Sequence, residues 1–262
     1  VRSPEKCRAL REEGFDVFTF DDPSATAFLD QCDDILVSVG PDDDGDPVLN
    51  AWGQAIVKMP LLSRIVYLST VGVYGDHAGD WIDESAETRP VSRRSVQRLA
   101  AEQAWRDFAR DKGCDLHILR LAGIYGPGRS AIDNLLAGKA RRIVKPGQVF
   151  NRIHVTDIAQ TIAACLARAQ GEGCRIWNVT DDEPAPPQDV VAHGAALLNL
   201  DPPPEVAFNE AEMTPMARSF YGENKRVSNR ALREDLGVNL LYPTYREGLR
   251  ALLPQAESLQ TK

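Results

Sequence analysis

What most constrains the fold is an alternation in the first half of the chain. Short apolar runs rich in branched residues take turns with segments of helical spacing. Phe15 to Phe20 reads as a strand and Pro23 to Gln31 as a short helix. Asp34 to Val39 (DILVSV) is a second strand, bounded by aspartates before it and by Gly40-Pro41 after it. Pro47 to Met59 suits a helix, Arg64 to Ser69 (RIVYLS) a third strand and Leu116 to Leu121 a fourth. Arg94 to Lys112 carries Val96, Leu99, Ala100, Ala104, Trp105 and Phe108 close to helical spacing, and Gly113 is placed to end that helix. This order predicts an α/β fold, a parallel sheet covered on both faces by helices. Beyond it, Val155 to Ala169, Gln188 to Leu198, Asn229 to Leu236 and Tyr245 to Leu253 read as helices, and Arg175 to Val179 as a short strand. No internal repeat or flexible linker separates the halves.

Composition excludes several classes. With 262 residues, 43% hydrophobic and 26% charged, the chain can bury a sizeable core and is neither disordered nor a disulfide scaffold. Thirty Lys+Arg against 38 Asp+Glu leave a net charge of −8, which argues against nucleic acid as a partner. No apolar run approaches the ~20 residues that span a bilayer, so no membrane partner is expected. The five cysteines are scattered and never in CxxC spacing, which points to reduced thiols in a cytoplasmic protein and to no metal site.

Four motifs carry chemistry. YLSTVGVYG (Tyr67 to Gly75) sets Ser69 and Thr70 at or just beyond the C-terminal end of a strand, where doubly wound sheets bind their ligands. RLAGIYGPGR (Arg120 to Arg129), RIHVTDIA (Arg152 to Ala159) and WNVTDDEP (Trp177 to Pro184) follow. In this order and spacing they resemble an extended short-chain dehydrogenase/reductase of the NAD-dependent epimerase/dehydratase family, most of all its atypical branch. The resemblance runs from Val1 to about Leu252. It implies a Rossmann-like doubly wound parallel sheet with a smaller C-terminal substrate lobe. Residues 1–122 and 150–182 would form the dinucleotide-binding part, and 123–149 and 183–262 the substrate lobe.

Carried over residue by residue, the resemblance puts Thr70 at the family's catalytic Ser/Thr. The family's Tyr-x-x-x-Lys falls on Arg94 and Arg98, in RSVQR. The tyrosine relays a proton and the lysine lowers its pKa while holding the nicotinamide ribose. Arginine stays protonated, so Arg94 is no general acid or base. Spaced i,i+4, Arg94 and Arg98 can clamp a ribose, a phosphate or a carboxylate, or simply form an exposed basic helix start. Tyr74, Tyr125 and Tyr221 are candidates for the lost acid. His154 reads as a structural hydrogen bonder near the cleft.

The family's G-x-x-G-x-x-G turn is also absent; Gly14 and Gly40 stand alone. Aligned to the family, Val1 to Pro4 fall just after its second strand. The expectation is therefore that about 30 residues carrying a strand, a glycine-rich turn, a helix and a second strand precede Val1. Ser38, Val39 and Gly40 end a strand where the family passes the cofactor ribose, and Ser69 and Arg98 complete that set. Arg2 and Ser3 lie where the family discriminates the adenosine ribose, and an arginine there selects NADP(H) over NAD(H). Basic residues gather in the substrate lobe. From them Arg129, Lys145, Arg152 and Arg218 are drawn, with Tyr74 and Tyr125, as contacts for a small polar or anionic substrate. A homodimer is expected through Pro47 to Met59 and Arg94 to Lys112, with Trp52, Trp105 and Phe108 as anchors. Two functions stand open: an oxidoreductase or epimerase, or a non-catalytic NADP(H)-binding sensor that has lost the tyrosine.

Overall fold

The computed structural model describes residues 3–20, 22 and 24–253. Helix α1 (Pro4–Glu12) starts on a side-chain cap: Ser3 accepts from the Lys6 N–H at 3.3 Å, with Pro4 in the first turn. The segment after it is the one expected strand that does not form. Phe15 to Phe20 has no ladder partner among the described residues, and a strand exists only through pairing. Its groups find local partners instead. The Val17 carbonyl accepts from Arg11 at 2.9 Å, Phe18 packs on Phe28, and Phe20 meets Trp52 edge-on. Helix α2 (Ala25–Leu29) follows, shorter than the spacing suggests.

The sheet is made by β1 (Asp34–Val37), β2 (Arg64–Thr70), β4 (Asp115–Leu121) and β8 (Cys174–Val179), all parallel, in the order β1-β2-β4-β8. Both faces are covered, which explains strands without polar alternation. Ile65, Tyr67, Leu116 and Ile118 pack against α3 (Pro47–Lys58) and α4 (Arg93–Lys112) in a core that wholly buries Trp105. Val66, Leu119, Leu121 and Trp177 face α6 (Val155–Leu166) and α9 (Arg230–Glu234). Asp46 caps α3 through the N–H groups of Val48 and Leu49, Ser92 caps α4, and Gly113 ends α4 at φ +75.

Short parallel pairs build the remainder: β3 (Trp81–Ile82) with β10 (Arg226–Val227), β5 (Gly123–Tyr125) with β7 (Arg152–His154), and β6 (Arg142–Val144) with β9 (Glu205–Ala207). Around them lie α5 (Ala131–Leu136), α7 (Pro187–Leu197), α8 (Pro215–Phe220) and α10 (Tyr245–Ala251). Tyr125 is clamped against α10, where a Cβ on Gly248 would lie 2.0 Å from its hydroxyl. The ladder pairs Thr70 with Leu121 and Leu121 with Val179. Three strand ends therefore finish level. Among the described residues no helix is long and apolar enough to cross a membrane, and no cluster of His, Cys, Asp and Glu could hold a metal ion.

Candidate active site

Beyond those strand ends opens a cavity of about 1500 Å³. One end is floored by Ser38, the segment Leu68 to Gly72, Arg98 and Leu121 to Gly123. The chain turns sharply after β2 into a 3₁₀ turn, Val71–Tyr74, which Thr70 caps by accepting from the Gly72 N–H at 3.1 Å. The Thr70 oxygen is thereby fixed at the cavity floor with its own O–H left to donate.

Arg98 reaches up from α4 to the same floor. Its Nη1 donates to the carbonyls of Leu68 at 2.8 Å and Val39 at 3.4 Å and to the Tyr67 hydroxyl at 3.1 Å. The guanidinium also lies 5.5 Å from the Tyr67 ring centre. Burial pushes the Tyr67 phenol up to about 12, with Arg98 working against the rise, so this tyrosine is no proton donor near neutrality. The Arg98 Nη2 has no hydrogen-bond partner among the described residues and faces Gly40. Arg98 thus ties the ends of β1 and β2 together and keeps one donor free.

Arg94 stands apart from that floor. It is exposed, meets the Met216 sulfur at 3.6 Å, and lines a neighbouring recess of about 490 Å³ together with Gly40, Asp43, Gln97 and Arg98. Arg94 and Arg98 share that recess, while Arg98 alone also reaches the cavity floor. Ser69 lines the cavity, yet its hydroxyl is bound to Glu102. Glu102 in turn holds Arg120 through two bonds, of 3.1 and 2.7 Å, all nearly inaccessible. The sequence reading did not single out this buried ion pair. Its one-dimensional trace is a Glu on the helix face that also carries Ala101 and Trp105.

The structure sorts the other expected contacts. Tyr125, Arg129 and Arg152 line the cavity. Tyr74 does not: the 3₁₀ turn swings it into the core, where it donates to Asn178 at 2.7 Å beneath the Arg120 guanidinium. Lys145 donates to the Tyr221 carbonyl and to Gln148, and it lies over Phe208, outside the cavity. Arg218 turns to the Ala211 carbonyl and the same ring. Arg152 is spent on the carbonyls of Phe150 and Ala185. Beside it the buried Asp181 is raised above the usual carboxylate range by desolvation, against the pull of Arg152. Burial and the charges of Asp181 and Asp157 also raise the Tyr125 phenol. Tyr221 lines the cavity. His154 caps α6 through the Thr156 N–H, a structural role. Arg141 and Lys225, both within the basic stretches of the sequence, also line the cavity, as do Glu223 and Lys139, and of these Lys139 has no such sign in its local sequence. Arg2 lies outside the described residues, and Ser3 serves as the cap of α1.

The model of the NAD dependent epimerase/dehydratase family matches residues 46–180. The chain belongs to this family. Among curated proteins, Escherichia coli K12 protein YeeZ is 33% identical over 184 residues, 70% of this chain and 60% of YeeZ. The match therefore spans less than two thirds of that relative. A 3-diazoavenalumate denitrifying reductase from Streptomyces is 29% identical over 143 residues, 50% of this chain and 45% of that protein. Among solved structures, a functionally unknown conserved protein from Silicibacter pomeroyi superposes with a TM-score of 0.88 at 48% identity, covering 98% of this chain and 89% of that one.

The floor fits one end of a nicotinamide cofactor. Ser38, Thr70 and the free Arg98 Nη2 present hydroxyl and cationic donors at the strand ends, the chemistry a ribose and an amide require. No G-x-x-G-x-x-G turn occurs in the 262 residues.

Proposed function

We propose that this chain serves a nicotinamide-dependent oxidoreductase or epimerase reaction on a small polar or anionic substrate. The observation that carries this reading is the meeting of Thr70 and Arg98 on one cavity floor at the ends of β1 and β2. When bound, the cofactor supplies or accepts the hydride. The Thr70 O–H donates to the substrate oxygen. The Arg98 Nη2 orients a ribose hydroxyl, and its Nη1 keeps β1 and β2 from separating beneath it. In the reducing direction the substrate oxygen takes its proton from solvent, and in the oxidising direction it releases one to solvent, since Arg94 cannot exchange one.

A second reading has its own support: the exposed Arg94 at the place of the family's proton donor suits a binding protein that senses NADP(H). One assay divides the two. Nicotinamide absorbance is followed with NADPH and with NADH against a panel of small carbonyl acids, while binding is measured by calorimetry. Turnover selects the enzyme, and binding without turnover selects the sensor. NADP(H) is the proposed cofactor, because Arg2 stands where the family discriminates the adenosine ribose. A homodimer through α3 and α4 is also proposed. Of the expected anchors Trp105 is wholly buried with Phe108 packed on it and Trp52 is half-buried against Phe20, while Val57 and Val96 on the same two helices are exposed. Light scattering at micromolar concentration checks it. The five free cysteines support a reducing, cytoplasmic setting.

A further inference from the structure

The far end of the cavity differs in character from its floor. Val149, Phe150, Met213 and Tyr221 form one wall, and α8 lays Met216 and Phe220 across it. These last two side chains are 52% and 63% exposed, a large apolar area for a helix facing a ligand-sized space.

The polar groups there are mostly spent within the protein. Thr214 caps α8, Arg141 donates to the Glu212 carbonyl, Lys225 is held by Glu223 and the Gly75 carbonyl, and Asn151 bridges Lys225 and Val227. Three charged side chains of the lining keep no partner among the described residues: Arg129, Lys139 and Glu212. The first two flank α5, one before its first turn and one after its last. Between them Asn134 is also free. A ligand that matches this end needs an apolar body for the α8 wall and an anionic head for the Arg129–Lys139 side. A nucleotide sugar would set many hydroxyls against a wall without partners for them, at a cost for each left unpaired.

We infer that the substrate end of this cavity takes an amphipathic carboxylate, an apolar and preferably aromatic body with one acidic group, held by Arg129 and Lys139 and covered by Met216 and Phe220. This deepens the proposed function and rests on it for the reaction, though the binding claim stands by itself.

The test uses biphenyl-4-acetate, its uncharged amide, acetate and UDP-glucuronate as probes, each titrated into the protein by calorimetry. Biphenyl-4-acetate should bind about 10- to 100-fold more tightly than the amide, with acetate undetected and UDP-glucuronate weaker. The double substitution Arg129→Ala with Lys139→Ala should erase the preference over the amide, while Arg218→Ala, a cation outside the cavity, keeps it. Met216→Ser with Phe220→Ser should weaken both aromatic probes alike. Equal binding of acid and amide, tightest binding of UDP-glucuronate, or no binding of either aromatic probe overturns the inference. NADPH titration in parallel separates the two claims. Cofactor binding without acid preference rejects only the pocket, and acid preference without cofactor binding rejects only the proposed function.

Discussion

At the scale of single residues, an arginine rather than a lysine at position 98 changes what the side chain can do. A lysine offers one point charge, whereas the arginine fork reaches Leu68, Val39 and Tyr67 at once and still has a donor in reserve. Arg98→Lys should therefore loosen the floor, lowering stability by ~1–2 kcal/mol in urea unfolding and weakening nicotinamide binding. Thr70 and Arg94 separate the roles further. Thr70→Ala should abolish most turnover, Thr70→Ser should restore it because it keeps both the hydroxyl and the cap, and Arg94→Ala should leave it nearly unchanged. Kinetics in which Arg94→Ala is as damaging as Thr70→Ala would return Arg94 to the site. Arg2 makes its own prediction from sequence. Arg2→Ala should weaken NADPH by roughly 1.5–3 kcal/mol in calorimetry and leave NADH almost as it was, the signature of one charged hydrogen bond to a 2′-phosphate.

At the scale of elements, α4 is legible and the way it is fastened is not. Its apolar spacing, the Ser92 cap and Gly113 all lie within one stretch of sequence, so local rules suffice. Its attachment joins Glu102 to Ser69 on β2 and Arg120 on β4, residues 33 and 18 positions away. Such a partnership is a fact of sheet order. The same distinction explains Phe15 to Phe20, whose composition suits a strand but whose neighbours give it no ladder, and the pairs β5–β7 and β6–β9, each joining segments far apart in sequence. Because Arg120 is 2% exposed, Glu102→Gln leaves a buried guanidinium without its counter-charge. It should cost ~3–5 kcal/mol in chemical denaturation. Replacing Glu102 and Arg120 together by Met should cost markedly less, since no charge is then stranded. A single substitution no worse than the double would show that the pair does not fasten α4.

At the scale of the whole molecule, charge counted along the chain and charge presented to the cavity prove to be different quantities. Arg129 and Arg152 reach the lining, whereas Lys145 and Arg218 fold onto Phe208, and Lys139, three residues past α5, arrives without any sequence signal. Four motifs in register identify the family because each is local; the site draws its walls from segments as distant as Ser38 and Leu249. A global titration follows from one buried ring within β4. His117 is 1% exposed, stacks on Trp177 and accepts from its Nε1–H at 3.0 Å. Burial first, then the charges of Arg64 and Arg168, lower it to about 4, with Asp115 and Glu172 opposing. The native ring stays neutral while the unfolded ring takes a proton below pH ~6.5, so the unfolded state binds more protons and stability falls as the pH falls from there to about 4. His154 and His193, also lowered by burial, act in the same sense, and the raised carboxyls of Asp34, Glu84 and Asp181 act in the opposite one. The difference between two proteins isolates His117 from that background. His117→Asn keeps an acceptor for Trp177 and removes the titration. Below pH ~6.5 its stability relative to the parent should climb by ~1 kcal/mol per pH unit, and above pH ~7 the two curves should run parallel. Parallel curves throughout would mean that His117 takes up its proton in the native core at the same pH as in the unfolded chain.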